Sequence, residues 1–201
     1  MTTWKRKSRW LAATLAVMAL MLLFAAVPAY AAGQEADTGE TEASVSFTAG
    51  QLRLESAPTL DFGAHAISHE AQEYPAVTTG DDVVVSDLRG NAEGWTLFAS
   101  LSPFQLEEEG GDTLKAASIR FTLPRVNAEN GTIGTAPGAE ETITLPSDAT
   151  ETRIFTAQGG QGMGVWSLGW DAANIVLAVK PGTAQDGRST AALTWSLQSA
   201  P

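Results

Sequence analysis

Short runs of β-branched, aromatic and leucine residues, separated by Gly, Asn, Asp and Pro, most constrain the fold of this 201-residue chain. From Val45 onward no run keeps a helical repeat over a dozen residues, which is typical of an all-β protein. We therefore expect a single β-sandwich or barrel-like domain over residues 45–201, with about ten short strands. The predicted strands are residues 45–48, 51–56, 83–87, 94–100, 117–123, 142–145, 152–157, 163–170, 174–179 and 190–198. Residues 107–112 and 127–141, rich in Gly and acid, are expected to be exposed loops.

The N-terminal segment has the pattern of a secretory signal peptide. Four basic residues precede an uncharged, Leu- and Ala-rich run over residues 10–27, and Ala29-Tyr30-Ala31 follows it. Small side chains at Ala29 and Ala31 suit signal peptidase, so we expect cleavage after residue 31 and a secreted product without further membrane insertion. A retained anchor is the alternative, because the run is long enough to span a bilayer. Residues 33–43 contain no large apolar side chain, so residues 32–44 are expected to form a disordered acidic leader.

The charge of the chain excludes one class of partner. It has 12 basic and 23 acidic residues and a net charge of −11, and the predicted signal peptide contains basic residues but no acidic ones. Such a surface repels phosphate backbones, so no nucleic acid partner is expected. Anionic lipids and wall teichoic acids are repelled in the same way. Any binding to a cell wall must therefore rest on shape, stacking and hydrogen bonds.

A Trp-x-Leu motif occurs three times, at residues 95–97, 166–168 and 195–197. Side chains two residues apart share one face of a strand, so each Trp stands beside its Leu. One interpretation is that these faces form the core. The alternative is that one or more indole rings line a groove that stacks on sugar rings or seats a partner strand. The periodicity alone does not separate the two.

Two of these motifs belong to longer patterns. The first pattern contains Asp87-x-Arg89 and then Gly94-Trp95-Thr96-Leu97, and the second is Leu193-Thr194-Trp195-Ser196-Leu197 closing at Pro201. Together they resemble the proximal and distal motifs of the WxL-domain family of Gram-positive bacterial cell surfaces. The resemblance covers nearly the whole chain after residue 31. The distal motif of the family usually has a Tyr four residues before its Leu, where this chain has Ser189.

The resemblance implies a non-enzymatic protein held non-covalently on peptidoglycan. Its implied partners are other WxL-type proteins and membrane-anchored surface proteins. The candidate binding residues are Trp95, Leu97, Trp195, Leu197, Asp87 and Arg89. For the last two, a structural ion pair is the alternative interpretation. Because the family is recognised by both motifs together, we expect their strands to pack side by side or face to face.

No catalytic residue, metal site or cofactor is expected. The chain has no Cys and only two histidines, so no base is evident for a Ser nucleophile. His65 and His69 have a spacing that suits a metal on a helix, and no helix is expected there. Two alternative functions stay open: a carbohydrate-active enzyme with a carboxylate pair, and a calcium-dependent surface adhesin. The acidic clusters that either would need are read as solvated loop charges.

Overall fold

The computed structural model describes residues 41–108 and 111–200. The predicted signal peptide and most of the predicted leader lie outside the described residues. Residues 41–44 are exposed and belong to no helix or strand. The strands are β1 (Leu52–Ser56), β2 (Gln72–Pro75), β3 (Val83–Asp87), β4 (Trp95–Leu101), β5 (Phe104–Leu106), β6 (Asp112–Thr113), β7 (Ser118–Thr122), β8 (Arg125–Glu129), β9 (Gly138–Ala139), β10 (Thr142–Pro146), β11 (Thr152–Ala157), β12 (Gly164–Gly169), β13 (Ile175–Val179), β14 (Ser189–Thr190) and β15 (Leu193–Ser199). One 3-10 turn, Ala172–Asn174, precedes β13.

All strand pairs are antiparallel, and they form four sheets. The first sheet has the order β1-β3-β12-β8 and the second the order β10-β7-β13-β2. The third has the order β15-β4-β11-β9, and we call it the motif sheet because β4 and β15 contain the two end motifs. A small sheet has the order β14-β5-β6. The predicted all-β, sandwich-like class is confirmed.

One hydrophobic core joins residues of the three larger sheets. The first sheet contributes Val85 and Leu168, and the second contributes Phe121 and Ile175. From the motif sheet, Trp95 and Phe155 meet edge to face with their ring centroids 5.1 Å apart. In β4 the burial alternates strictly between buried and partly exposed residues. A strand that covers a core with one face shows this alternation.

Nine of the predicted strands are present, and the prediction for residues 45–48 is wrong. This segment alternates apolar and polar residues, but it has no strand partner among the described residues, and the side chain of Phe47 is 89% exposed. The prediction of a loop over residues 127–141 is wrong for residues 127–129, which belong to β8, and for residues 138–139, which form β9. β8 lies at a sheet edge, and Val126 packs against the core. The acidic segment 107–112 also contributes Asp112 to β6.

The described residues include no helix of the length and hydropathy needed to cross a membrane.

Candidate functional site

The two end motifs are direct neighbours in the motif sheet. β15 pairs with β4 along its whole length, with Leu197 opposite Leu97 and Trp195 opposite Ala99. Residues opposite each other in antiparallel strands project their side chains to the same face. The Trp and Leu residues of both motifs therefore lie on one face of the sheet, the face that covers the core. Of the two expected arrangements, side by side or face to face, this register corresponds to the first.

Trp95 is a fully buried residue with a satisfied indole N–H. Its side chain and that of Leu97 are 0% exposed, and the Trp95 Nε1 donates to the carbonyl of Gly162 at 3.1 Å. Gly162 has φ +70°, and a Cβ there would lie 2.8 Å from the indole nitrogen. Gly94 has φ +87°, and a Cβ there would lie 2.3 Å from the carbonyl oxygen of Ala157. Both glycines are therefore required by close approach as well as by backbone conformation.

Trp195 lies in a different environment, because β15 is an edge strand. Its ring is partly exposed but packs against the core, as do Leu193 and Leu197. One part of the Trp195 side chain therefore packs against the core, and another part is accessible to solvent. Of the two motif tryptophans, only this one has a surface that another molecule can reach in the described structure.

Asp87 and Arg89 form a nearly buried ion pair at the end of β3. The Arg89 Nε donates to Asp87 Oδ1 at 2.9 Å and its Nη2 to Asp87 Oδ2 at 2.9 Å. Asp87 is 2% exposed, so both of its oxygens are held within the protein. The same guanidinium donates to the carbonyl of Gly94 at 2.9 Å and to the hydroxyl of Ser199. Arg89 thus joins the end of β3, the start of β4 and the end of β15.

The electrostatics of this pair favour the charged state of both partners. Burial alone raises the pKa of Asp87, but the hydrogen bonds and the charge of Arg89 outweigh burial and leave that pKa below its ordinary value. The hydrogen bond to Asp87 in turn raises the pKa of Arg89. The arrangement is that of a structural ion pair, and neither oxygen of Asp87 points to open solvent.

The outer face of the motif sheet is polar, neutral and partly exposed. It consists of the residues that alternate with the buried ones, and those of β4 and β15 are Thr96, Phe98, Ser100, Thr194, Ser196 and Gln198. Phe98 lies at the centre, with Ser196 opposite on β15 and Arg153 opposite on β11. Arg153 pairs with Glu140 at 3.3 Å, and both side chains are 60% exposed. One aromatic ring therefore lies between a serine on β15 and an ion-paired arginine on β11, with hydroxyl and amide side chains further along β4 and β15.

None of the binding residues expected from the sequence lies on this outer face. The signal was nonetheless in the sequence, because Thr96 and Ser196 are the middle residues of the two Trp-x-Leu motifs. Alternation places them, and every second neighbour, on the face opposite the core. Their composition of Ser, Thr and Gln did not distinguish them from ordinary exposed residues.

The third Trp-x-Leu motif lies in the interior. In β12, Trp166 is 4% and Leu168 is 0% exposed, and the Trp166 Nε1 donates to the carbonyl of Met163 at 2.9 Å. Trp170, just after β12, is 4% exposed and packs on Phe121, but its Nε1 has no acceptor among the described residues. These rings contribute to packing, because almost none of their surface is accessible.

His65 has a packing role in the described structure. Its ring stacks on Tyr74 with the centroids 3.9 Å apart, and its Nε2 lies 2.6 Å from the carbonyl oxygen of Phe62. His69 is exposed and lies 4.0 Å from Glu70. No three His, Asp or Glu side chains converge on a metal-sized site within residues 41–108 and 111–200.

A shallow depression of 270 Å³ lies beside β1. Its lining residues are Gly50, Gln51, Arg53, Glu55, Ser86 and Leu88. The Arg53 Nε donates to Gln51 Oε1 at 3.0 Å.

Comparison with known families gives one match. A family profile described as WxL domain, surface cell wall-binding, matches residues 31–201. No curated protein matches the chain. The matched range contains both end motifs and every described strand. The chain therefore belongs to the WxL domain family of surface cell wall-binding proteins.

Proposed function

We propose that this protein binds peptidoglycan non-covalently through the outer face of the motif sheet, and that Trp95 and Leu97 shape this face from behind. The observation that supports the proposal is the register of β4 and β15, which turns the Trp and Leu side chains inward. The same register leaves Phe98 on the accessible face, with Ser196 opposite on β15 and the ion-paired Arg153 opposite on β11. The family membership supports cell wall binding at the surface.

The chemistry of this face suits a glycan strand with attached peptides. Hydroxyl and amide side chains both donate and accept hydrogen bonds, as sugar hydroxyls and peptide groups do. The ring of Phe98 offers an apolar surface against which a sugar ring can pack. The six outer-face residues of β4 and β15 carry no charge, whereas the whole chain is strongly acidic. A neutral face lets the chain approach a wall that also carries anionic polymers.

Binding without bond cleavage is part of the proposal. The family is defined by cell wall binding, and Glu140, which lies beside Arg153 at this face, is paired with that arginine. A carboxylate-pair hydrolase needs two acids facing one substrate bond. The proposed face offers no such pair among its own residues.

Co-sedimentation with insoluble peptidoglycan tests the proposed face. Phe98→Ala and Gln198→Ala should each leave more protein in the supernatant than wild type, because each removes a group from the accessible face. Val77→Ala is the control, since Val77 is 62% exposed and lies outside the motif sheet. Circular dichroism should show that all three variants remain folded.

Three results would contradict the proposal. Equal sedimentation of wild type and both outer-face variants would place binding elsewhere. Release of soluble sugar fragments from the wall material would indicate the hydrolase. Loss of sedimentation on addition of a chelator would indicate the calcium-dependent adhesin.

We further propose that residues 1–31 export the protein and that it assembles at the Gram-positive surface with WxL-type and membrane-anchored proteins. A pair of exposed apolar side chains supports a protein partner. Ile133 is 99% and Met163 is 42% exposed, and their loops are joined by a hydrogen bond from the N–H of Gly162 to the carbonyl of Thr135 at 3.0 Å. Exposed apolar groups that lie together favour contact with another protein.

A further inference from the structure

Within the described residues, the edge strand β15 has backbone groups without a hydrogen-bond partner on the side that faces away from β4. At one end the N–H of Ser102 donates to the carbonyl of Ala192, and at the other the N–H of Ala200 donates to the carbonyl of Gly94. These two bonds show which residues of β15 turn their backbone N–H and C=O groups toward β4. In an antiparallel pair these residues alternate, so the even-numbered residues are bonded to β4. The N–H and C=O groups that point to the free side belong to Leu193, Trp195, Leu197 and Ser199. Among the described residues, no strand forms a hydrogen-bonded ladder with this side, although β1 of the first sheet approaches β15.

The sequence of β15 lacks the features by which edge strands usually prevent association. Natural edge strands avoid association through Lys, Pro, bulges or short length. β15 has seven residues, and residues 189–200 contain no charged residue, no Pro and no Gly. Its pairing with β4 shows a continuous register without a bulge. Two copies of an acidic chain can meet at this uncharged segment without bringing like charges together.

We infer that β15 is a dimerisation strand, and that two copies pair antiparallel along their β15 edges across a two-fold axis at Ser196. In this register Trp195 lies opposite Leu197 of the second copy, and Leu193 lies opposite Ser199 of the second copy. All four residues with free backbone groups then find partners. Other two-fold registers place Leu193 or Ser199 opposite a residue outside β15. The interface is isologous, as most homodimer interfaces are.

The side chains agree with this register. Trp195 is partly exposed in the single chain, and the second copy adds Leu197 beside it on the same face. Ser196 meets its own counterpart on the outer face, where two small hydroxyl groups fit without conflict. The two motif sheets become one continuous sheet, and their outer faces lie side by side. The inference goes beyond the proposed function and does not depend on it.

Cysteine cross-linking tests the register, because the chain has no cysteine of its own. Ser196→Cys should form a disulfide-linked dimer under mild oxidation, since directly opposite residues in a non-hydrogen-bonded pair lie within disulfide range. Thr194→Cys and Gln198→Cys should each give little dimer alone, because in this register each faces the other. A mixture of these two variants should cross-link.

A charge at the two-fold axis gives an independent test. Ser196→Lys places two ammonium groups opposite each other, so sedimentation should show loss of the dimer that wild type forms. Thr194→Lys is the matched control, because its counterpart is the neutral Gln198. Circular dichroism and melting curves should show both variants folded as wild type.

Two results would overturn the inference. One is a wild-type protein that stays monomeric, with no more cross-linking of Ser196→Cys than of Thr194→Cys. The other is a dimer that persists in Ser196→Lys, which would point to another segment. The exposed strand-like segment around Phe47 would be the first to examine, by Phe47→Ser.

Discussion

Arg89 contributes more to the structure than its position in a short loop suggests. Its guanidinium binds both oxygens of Asp87, the carbonyl of Gly94 and the hydroxyl of Ser199. An Arg is suited to this role, because its planar group offers five donors in fixed directions. A lysine offers one ammonium group and cannot make the same set of bonds. The Asp-x-Arg pattern is therefore explained by the joining of three chain segments.

We expect Asp87→Asn to lower the free energy of unfolding by about 1.5–3 kcal/mol near neutral pH, because charge-assisted hydrogen bonds to Arg89 are lost. The effect should depend on pH. The pKa of Asp87 is lowered in the folded state, so its stabilisation is present above the unfolded pKa of about 3.9 and is lost as the pH falls through the folded value. Urea unfolding of both proteins from neutral to acidic pH measures the difference.

Glu73→Gln is the control for this experiment. Glu73 also pairs with an arginine, Arg120, at 3.0 Å, and the pKa of Glu73 is also lowered. The side chain of Glu73 is 58% exposed, so solvent screens the pair and little change in stability is expected. A difference between wild type and Asp87→Asn that stayed constant below about pH 4 would contradict the assignment.

The two motif tryptophans should differ in their contribution to stability. Trp95→Ala should lower the free energy of unfolding by about 3–5 kcal/mol, since a fully buried ring is lost. Trp195→Ala should cost less than about 3 kcal/mol, because its ring is only partly buried. Thermal melting followed by circular dichroism makes the comparison. Equal losses of unfolding free energy in the two variants would contradict the partial burial of Trp195 on an edge strand.

At the scale of elements, β15 completes the motif sheet. It supplies one whole side of β4 and contributes Leu193, Trp195 and Leu197 to the packing of the core. Ending the chain at Ser189 removes this strand and one partner of Arg89. We expect the shortened protein to lose its cooperative melting transition.

The comparison for this truncation is a variant that keeps β15 and lacks residues 41–47, which contribute nothing to the core. That variant should melt as wild type does. A shortened protein ending at Ser189 that still melted cooperatively at the wild-type temperature would contradict the role given to β15.

Sequence patterns predicted the strands that cover the core and missed most of the strands at the edges. β4 and β13 alternate apolar side chains at period two, and such strands were predicted correctly. β8 reads Arg-Val-Asn-Ala-Glu, a polar segment that is held by its backbone bonds to β12. β5 and β14 contain only three and two residues, too few to show an alternating apolar pattern. The prediction for residues 45–48 was wrong for the opposite reason, because the alternating pattern is present but the described part of the chain contains no partner strand for it.

The candidate site was predictable in part. The closeness of the two motif strands followed from the joint occurrence of the motifs, whereas the period-two pattern around Trp95 left open whether its ring is buried or lines a groove. The edge position of β15 did not follow, because sheet order depends on contacts distant in sequence. The hydrogen bond from Arg89 to Ser199, across 110 residues, is of the same kind. No local signal in either segment encodes it.

At the scale of the whole molecule, the contacts that define the motif sheet are among the most distant in sequence. β4 lies between β11 and β15, and both neighbours follow it in the chain by more than fifty residues. Folds dominated by such pairings form slowly, because a long loop must close, at a cost in chain entropy, before the contacts can stabilise the fold. The molecule is therefore expected to remain without its motif sheet until late in folding.

The order of the strands also acts as a check on complete synthesis. Chains are made from the N-terminus, so β15 is the last of the described strands to leave the ribosome. A chain interrupted before Leu193 lacks Thr194, Ser196 and Gln198, which form half of the proposed wall-binding face. It also leaves Arg89 without Ser199. Unfinished copies would thus not be retained on the wall, and proteases could remove them before they occupied sites meant for intact molecules.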